Sequence, residues 1–226
     1  LRTNIQFMNS GKELKTVLVT STVQGEGKSL VVANLAITFA QMEKKTLVVD
    51  ADMRKGRQHE IFNVVSRPGL SNYLSGIDEN SSNFSELKKC IQSTEVENLF
   101  VMSAGDIPPN PSELVISEKM QELIQKLKDE FDIIIFDGTP SILVTDAIIL
   151  SRIVDTTIIV ATHKETKMEN LKKVKNDIEN VGGKIAGVIL NKVPISTKKY
   201  EESYYSSGED SRKFLEDVKK EMEYNI

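Results

Sequence analysis

The chain has 226 residues, 39% of them hydrophobic, and a formal net charge of −4. This length suits one folded domain with a sizeable core, and the charge gives no basis for nucleic-acid binding. The single cysteine, Cys90, excludes an internal disulfide framework, and the separated His59 and His163 lack metal-site spacing. No apolar run reaches the length of a membrane span and no signal peptide is present, so we expect a cytoplasmic protein.

Predicted strands and helices alternate along the chain. A short helix is expected at residues 2–8, and strands at residues 16–20, 46–49, 99–103, 133–136, 156–161 and 184–190. Helices are expected at residues 29–41, 112–128, 146–153 and 167–181, and a polar loop at residues 75–85. The alternation predicts an α/β fold with a doubly wound, mainly parallel sheet and helices on both faces.

Two helix boundaries carry specific signals. Asn110 is placed to cap a helix that has Pro111 at its first position, and Glu113 could complete a capping box. Gly182 and Gly183 are expected to end the helix before them.

The first functional motif lies between the first strand and the first long helix. Gly25 and Gly27 allow backbone N–H groups to approach a phosphate, Lys28 is placed for the outer phosphates, and the Ser29 hydroxyl for Mg²⁺. The first glycine of the usual P-loop pattern is replaced by Thr22. We assign nucleotide binding to Gly25, Glu26, Gly27, Lys28, Ser29 and Leu30. The alternative is a tight glycine turn before an ordinary helix.

Acidic residues follow two further predicted strands. Asp50 and Asp52 come after the strand at residues 46–49, and Asp137 after the strand at residues 133–136. Because parallel strands present their carboxyl ends at one edge, these carboxylates should converge on the P-loop. Hard oxygen ligands of this kind hold Mg²⁺, so we predict an ATP–Mg²⁺ site. The alternative for each aspartate is a helix cap or a turn.

The C-terminal segment differs in composition from the rest of the chain. Residues 195–226 are polar and contain Tyr200, Tyr204, Tyr205 and Tyr224, four of the five tyrosines. We therefore divide the chain into a P-loop domain at residues 1–194 and a tyrosine-containing tail at residues 195–226. The tail is either a solvated terminus or a set of hydroxyl acceptors for a kinase.

Taken together, these motifs resemble the bacterial tyrosine kinases of capsule and exopolysaccharide synthesis. The similarity includes the Gly-Glu-Gly-Lys-Ser loop, Asp50-Ala51-Asp52-Met53-Arg54, Asp137, residues 105–114, residues 187–192 and the tyrosine-containing tail. It implies an ATP-dependent protein-tyrosine kinase that phosphorylates Tyr200, Tyr204, Tyr205 and Tyr224, largely between subunits.

The resemblance also implies roles for individual residues. Lys28 and Ser29 match the Walker A motif, Asp50 and Asp52 the Walker A′ motif, and Asp137 the Walker B aspartate. Lys28, Asp50, Asp52 and Asp137 would be catalytic, and Ser29, Asp50 and Asp137 would hold Mg²⁺. Asn191 would lie near the adenine, and Arg54 would contact a phosphate, a neighbouring subunit or a surface carboxylate.

Partners follow from the same resemblance. It implies a transmembrane activator with a cytoplasmic tail, assembly of identical subunits into a ring, a phosphotyrosine phosphatase and recruitment to the inner face of the plasma membrane. Because no membrane span is found, a separate activator is favoured over one fused upstream. Gly138-Thr139-Pro140 departs from the more usual Thr-Pro-Pro after the Walker B aspartate.

Two other function classes compete with the kinase. Nucleotide-switch ATPases resembling those of plasmid partition or division-site placement share the acidic strand ends, but they carry a second lysine where this chain has Val23. A catalytically idle ATP-binding adaptor is disfavoured by the complete set of Lys28, Ser29 and the three aspartates.

Overall fold

The computed structural model describes residues 14–76 and 83–194. Within these residues seven strands form one sheet in the order β3-β4-β2-β5-β1-β6-β7. All neighbouring strands are parallel except β3, which pairs antiparallel with β4. The strands are β1 (Thr16–Ser21), β2 (Thr46–Asp50), β3 (Gln92–Ser93), β4 (Leu99–Met102), β5 (Ile133–Pro140), β6 (Thr156–Thr162) and β7 (Ile185–Asn191). The predicted mainly parallel sheet is confirmed.

Helices cover both faces of this sheet. They are α1 (Lys28–Ala40), α2 (Gln58–Ile61), α3 (Leu70–Ser75), α4 (Asn83–Cys90), α5 (Pro111–Ile116), α6 (Glu118–Glu130), α7 (Asp146–Ser151) and α8 (Met168–Asn180). In β1, Val17 and Val19 pack in the core with α1, whereas Leu18 packs in the core that contains α6. The period of two along the strand therefore gives each face its own core.

The helix predicted at residues 112–128 is two helices. Helix α5 ends at Ile116, and the Ser117 hydroxyl accepts a hydrogen bond from the Met120 N–H at 3.2 Å, which caps α6. Pro111 does occupy the first helical position. Asn110 is at the predicted N-cap position, but the capping box is wrong, because the Asn110 side-chain amide donates to the Glu113 carboxylate at 3.2 Å and makes no cap hydrogen bond.

Other differences concern short elements. The predicted loop at residues 75–85 is wrong at both ends, since Ser75 ends α3 and α4 begins at Asn83. Helices α2, α3 and α4 and strand β3 were not predicted, because two to eight residues give too little periodicity. The predicted helix at residues 2–8 and the tail at 195–226 lie outside the described residues. In the described part of the chain, no helix is long and apolar enough to cross a bilayer.

Candidate active site

The P-loop connects β1 to α1 at the carboxyl edge of the sheet. Gly25 and Gly27 have φ values of +90° and +91°, which glycine adopts without strain. A Cβ atom on Gly27 would lie 2.2 Å from the Asn191 side-chain nitrogen, so only glycine fits there. Helix α1 begins at Lys28, and the N–H groups of its first turn have no partner within the helix. The loop therefore has the backbone of an anion site.

Glu26 is buried and its carboxylate binds the start of the same loop. It accepts hydrogen bonds from the Thr22 N–H at 2.6 Å, the Thr22 hydroxyl at 3.0 Å and the Val23 N–H at 2.9 Å. The Thr166 hydroxyl, from the β6–α8 connection, also donates to it. Because this carboxylate is fully engaged, Glu26 can offer an anion only its backbone N–H. Thr166 was missed, since nothing in its sequence context links it to the loop.

Three aspartates converge on Lys28. Asp50 at the end of β2 is the register partner of Asp137 in β5, and both are fully buried. The Lys28 Nζ lies 3.2 Å from an Asp137 oxygen and 3.3 Å from an Asp52 oxygen. The predicted convergence of these strand ends on the P-loop is therefore present in the structure.

Burial and the neighbouring charges together shift the pKa values of Lys28 and Asp50. Burial by itself would lower the pKa of Lys28, but the nearby Asp137 and Asp52 outweigh it and raise that pKa above 10.5. Burial, reinforced by repulsion from Asp137, raises the pKa of Asp50 from 3.8 to about 8. The hydrogen bond from the Gln58 backbone and the positive charge of Lys28 lower the pKa of Asp50, but by less than burial and Asp137 raise it. Negative charge at the two strand ends is thus incompletely compensated by protein groups.

The remaining predicted residues surround this centre. The Ser29 hydroxyl lies 3.3 Å from the Lys28 Nζ, and the Leu30 side chain is exposed. Asn191, at the end of β7, donates its side-chain amide to the Glu26 carbonyl oxygen at 2.9 Å. Asn191 therefore contacts the P-loop, and its assignment to the adenine stays a prediction.

Arg54 extends from the Walker A′ segment to a carboxylate on another element. Its Nε lies 3.1 Å from an oxygen of the buried Asp146, and its Nη2 lies 3.4 Å from the Ser112 hydroxyl. Of the roles foreseen for Arg54, an ion pair is present in this single chain, but its carboxylate is buried and not on the surface.

The donor set fits Mg²⁺. In residues 14–76 and 83–194, no three His, Cys, Asp or Glu side chains form a ready-made metal cage. Mg²⁺ beside phosphates needs only one or two protein carboxylates, because water and phosphate oxygens complete its shell. Asp50, Asp137 and the Ser29 hydroxyl are hard oxygen donors. Burial, and then repulsion from Asp137, disfavour the charged form of Asp50 in the metal-free chain, and a bound cation would favour it.

The parallel sheet, the P-loop and its acidic strand ends define a P-loop nucleotide-binding protein. A family model described as AAA domain matches residues 14–189. CapB of Staphylococcus aureus is 41% identical over 93% of this chain and 88% of its own length. The tyrosine-protein kinase YwqD of Bacillus subtilis is 36% identical over 93% of this chain and 85% of its own.

Solved structures agree with these relatives. The chimerical protein CapA2B2 superimposes with a TM-score of 0.78 and 38% identity, covering 86% of this chain and 82% of that one. The kinase domain of the Escherichia coli tyrosine kinase ETK superimposes with a TM-score of 0.77 and 31% identity, covering 92% of this chain and 77% of that one. This chain belongs to the bacterial tyrosine kinases, and the predicted family is confirmed.

The competing switch ATPases share the fold less closely. The septum site-determining protein MinD of Pyrococcus horikoshii, solved with Mg-ADP, is 25% identical with a TM-score of 0.66, covering 81% of this chain and 72% of its own. CapA2B2 and the ETK kinase domain both have a higher sequence identity to this chain and a higher TM-score than MinD. The kinase interpretation is therefore the better supported of the two.

Proposed function

We propose that this kinase transfers the terminal phosphoryl group of ATP to tyrosine hydroxyls in its own C-terminal tail. The observation that carries the proposal is the state of Tyr73, the one tyrosine in the described part of the chain. Its side chain is 1% exposed, and its hydroxyl lies 3.5 Å from the Lys126 Nζ. Because it is buried, Tyr73 is not available as a phosphate acceptor in the folded domain. The acceptors that we propose are Tyr200, Tyr204, Tyr205 and Tyr224, the first three being the main ones.

Phosphoryl transfer needs positioning and charge neutralisation more than covalent chemistry. The N–H groups of Gly25, Glu26, Gly27 and Leu30 would bind phosphate oxygens. The Lys28 ammonium, already among carboxylates, would turn to the outer phosphates once the nucleotide is bound. Asn191 would lie beside the adenine.

The carboxylates would serve the metal and the acceptor. Ser29, Asp50 and Asp137 would hold Mg²⁺, which would neutralise charge on the phosphates. Asp52, 3.3 Å from the Lys28 Nζ, would hold this ammonium beside the site until the nucleotide binds. An Asp50 oxygen would take the proton of the tyrosine hydroxyl, as the resemblance to the family implies.

The cellular setting is proposed from the family. CapB is a relative of this chain, and the matched chimera bears a name that joins CapA to CapB. We therefore propose activation by the cytoplasmic tail of a separate membrane protein, which would recruit the kinase to the plasma membrane. Transfer between subunits of a ring, removal of the phosphates by a phosphatase and control of capsular or exopolysaccharide synthesis complete the proposal.

A labelling experiment tests this function. The protein is incubated with ATP and Mg²⁺, with and without candidate activator tails, and phosphorylation sites are mapped by mass spectrometry. Phosphate on Tyr200, Tyr204 and Tyr205 is expected. ATP hydrolysis with no phosphotyrosine under any of these conditions would contradict the proposal and favour a switch ATPase.

A further inference from the structure

Gln58 connects the three nucleotide-site motifs, although it belongs to none of them. It is the first residue of the short helix α2 and its side chain is fully buried. Its backbone N–H donates to an Asp50 oxygen at 2.9 Å, and its Nε2 donates to an Asp137 oxygen at 2.8 Å. The same Nε2 donates to the Ser29 carbonyl oxygen at 3.1 Å. One residue thus contacts all three predicted metal-binding residues.

These contacts fix carboxylates that would otherwise repel each other. Asp50 and Asp137 are register partners on adjacent strands, and both are buried. Each receives one N–H from Gln58, so each has one oxygen oriented by that residue. Because both acceptors of Nε2 are oxygens, the orientation of the amide is determined by its hydrogen bonds.

The chain passes close to Asp50 to bring Gln58 into position. A Cβ atom on Gly56 would lie 2.7 Å from an Asp50 oxygen and 2.5 Å from the Ala104 side chain. Glycine at this point allows the segment after Asp52 to cross over the carboxylate. The backbone N–H of Gln58 then reaches Asp50 two residues later.

The amide oxygen of Gln58 provides an independent observation. It is buried and has no hydrogen-bond partner in the described part of the chain. Buried carbonyl oxygens normally have a donor, so leaving this one unpaired costs stability. The amide keeps this orientation because its Nε2 donates to Asp137 and to the Ser29 carbonyl oxygen.

We propose that Gln58 is the positioning residue of the metal site, which orients Asp50 and Asp137 for Mg²⁺. This inference rests on the proposed Mg²⁺-dependent kinase. It assigns Gln58 no contact with the reacting atoms. Residues that orient metal ligands typically affect metal affinity or activity by about 10- to 100-fold.

The test compares Gln58→Met and Gln58→Ala with the wild type. Both variants remove the side-chain amide. Methionine nearly keeps the side-chain volume and alanine does not, and both variants keep the backbone N–H that binds Asp50. Gln92→Met is the matched control, because Gln92 lies on the edge strand β3 and its amide binds the Val65 backbone at 2.9 and 3.0 Å. ADP binding is measured by calorimetry in Mg²⁺ and in EDTA, together with the Mg²⁺ requirement of phosphorylation.

We expect both Gln58 variants to raise the Kd for ADP in Mg²⁺ by about 10- to 100-fold and to raise the Mg²⁺ requirement. Their Kd in EDTA should change by less than about twofold, as should both values for Gln92→Met. Equal losses with and without Mg²⁺, no loss, or failure of both variants to fold would overturn the proposal.

The two proposals fail in distinguishable ways. Mg²⁺-dependent ADP binding without any tyrosine phosphorylation in the wild type would contradict the kinase function, while the ADP measurements would still decide the role of Gln58. Wild-type ADP binding that is independent of Mg²⁺ would overturn both.

Discussion

Glu26 closes the P-loop onto Thr22, whose N–H and hydroxyl donate to its carboxylate at 2.6 and 3.0 Å. Thr22 stands where the usual P-loop pattern has its first glycine. The side chain of Glu26 thus ties down the segment in which this chain departs from the pattern. The Thr166 hydroxyl joins the same carboxylate, so the loop is also attached to the end of β6.

Replacing Glu26 by alanine should therefore loosen the loop. The buried N–H groups of Thr22 and Val23 would lose their acceptor, and we expect about 2 kcal/mol less stability against unfolding. The KM for ATP should rise more than in Glu26→Gln, which keeps an acceptor oxygen. Urea unfolding and ATP titrations measure both effects. Glu60→Ala removes only an exposed ion pair with Arg57 and serves as the control. Identical values for the alanine variant and the wild type would refute this role.

Lys28→Met should abolish phosphoryl transfer. The variant loses the ammonium group that would neutralise the outer phosphates, and we expect a loss of about 100-fold or more in the initial rate. The circular dichroism spectrum should stay that of the wild type, because the surrounding strands are held by the two apolar cores. Lys175→Met, which removes an exposed pair with Glu179, controls for the substitution. A wild-type rate in Lys28→Met would contradict the P-loop assignment.

Asp50→Asn and Asp52→Asn should each reduce autophosphorylation, with Asp50→Asn the more damaging. Asp50 is proposed both to hold Mg²⁺ and to accept a proton, whereas Asp52 acts through its ion pair with Lys28. Initial rates at saturating ATP and Mg²⁺ give the comparison, and Asp129→Asn on the exposed face of α6 is the control. Unchanged rates in both variants would reduce the Walker A′ motif to a structural turn.

The hydrogen bonds of Asp155 lead us to expect that the stability of the fold depends on pH through this group, which lies away from the active site. Burial would raise its pKa, but hydrogen bonds from Lys128, Thr16 and Lys15 outweigh it and hold the pKa below 3.8. A carboxyl group whose pKa is lower in the folded than in the unfolded state stabilises the fold at pH values above its unfolded pKa. This stabilisation is lost as the pH falls through its folded pKa.

Asp155→Asn should therefore unfold more easily by about 2 kcal/mol at pH 7, and the difference should shrink below about pH 4. Urea unfolding at several pH values measures it. Asp177→Asn, which removes an exposed pair with Lys173, should show little effect at any pH. A deficit in Asp155→Asn that is the same at pH 3 and pH 7 would contradict the ionic explanation.

The sequence predicted the sheet and the meeting of Lys28 with the acidic strand ends because both depend on local patterns. Parallel strands present their carboxyl ends at one edge of a sheet, and the pairing of β1 with β5 brings Lys28 and Asp137 together. Gln58 and Thr166 were missed because their hydrogen bonds join segments that are distant along the chain. The break at Ser117 was missed because apolar periodicity continues across it, although Ser117 itself is a typical helix cap.

A mixing experiment tests the central claim, which is transfer to tail tyrosines of another subunit. A Lys28→Met chain with an intact tail is mixed with an active chain in which Tyr200, Tyr204, Tyr205 and Tyr224 are changed to Phe. With ATP, Mg²⁺ and the conditions under which the wild type labels itself, we predict phosphate on the tail of the Lys28→Met chain. No label on that tail, or label confined to the buried Tyr73, would contradict the account.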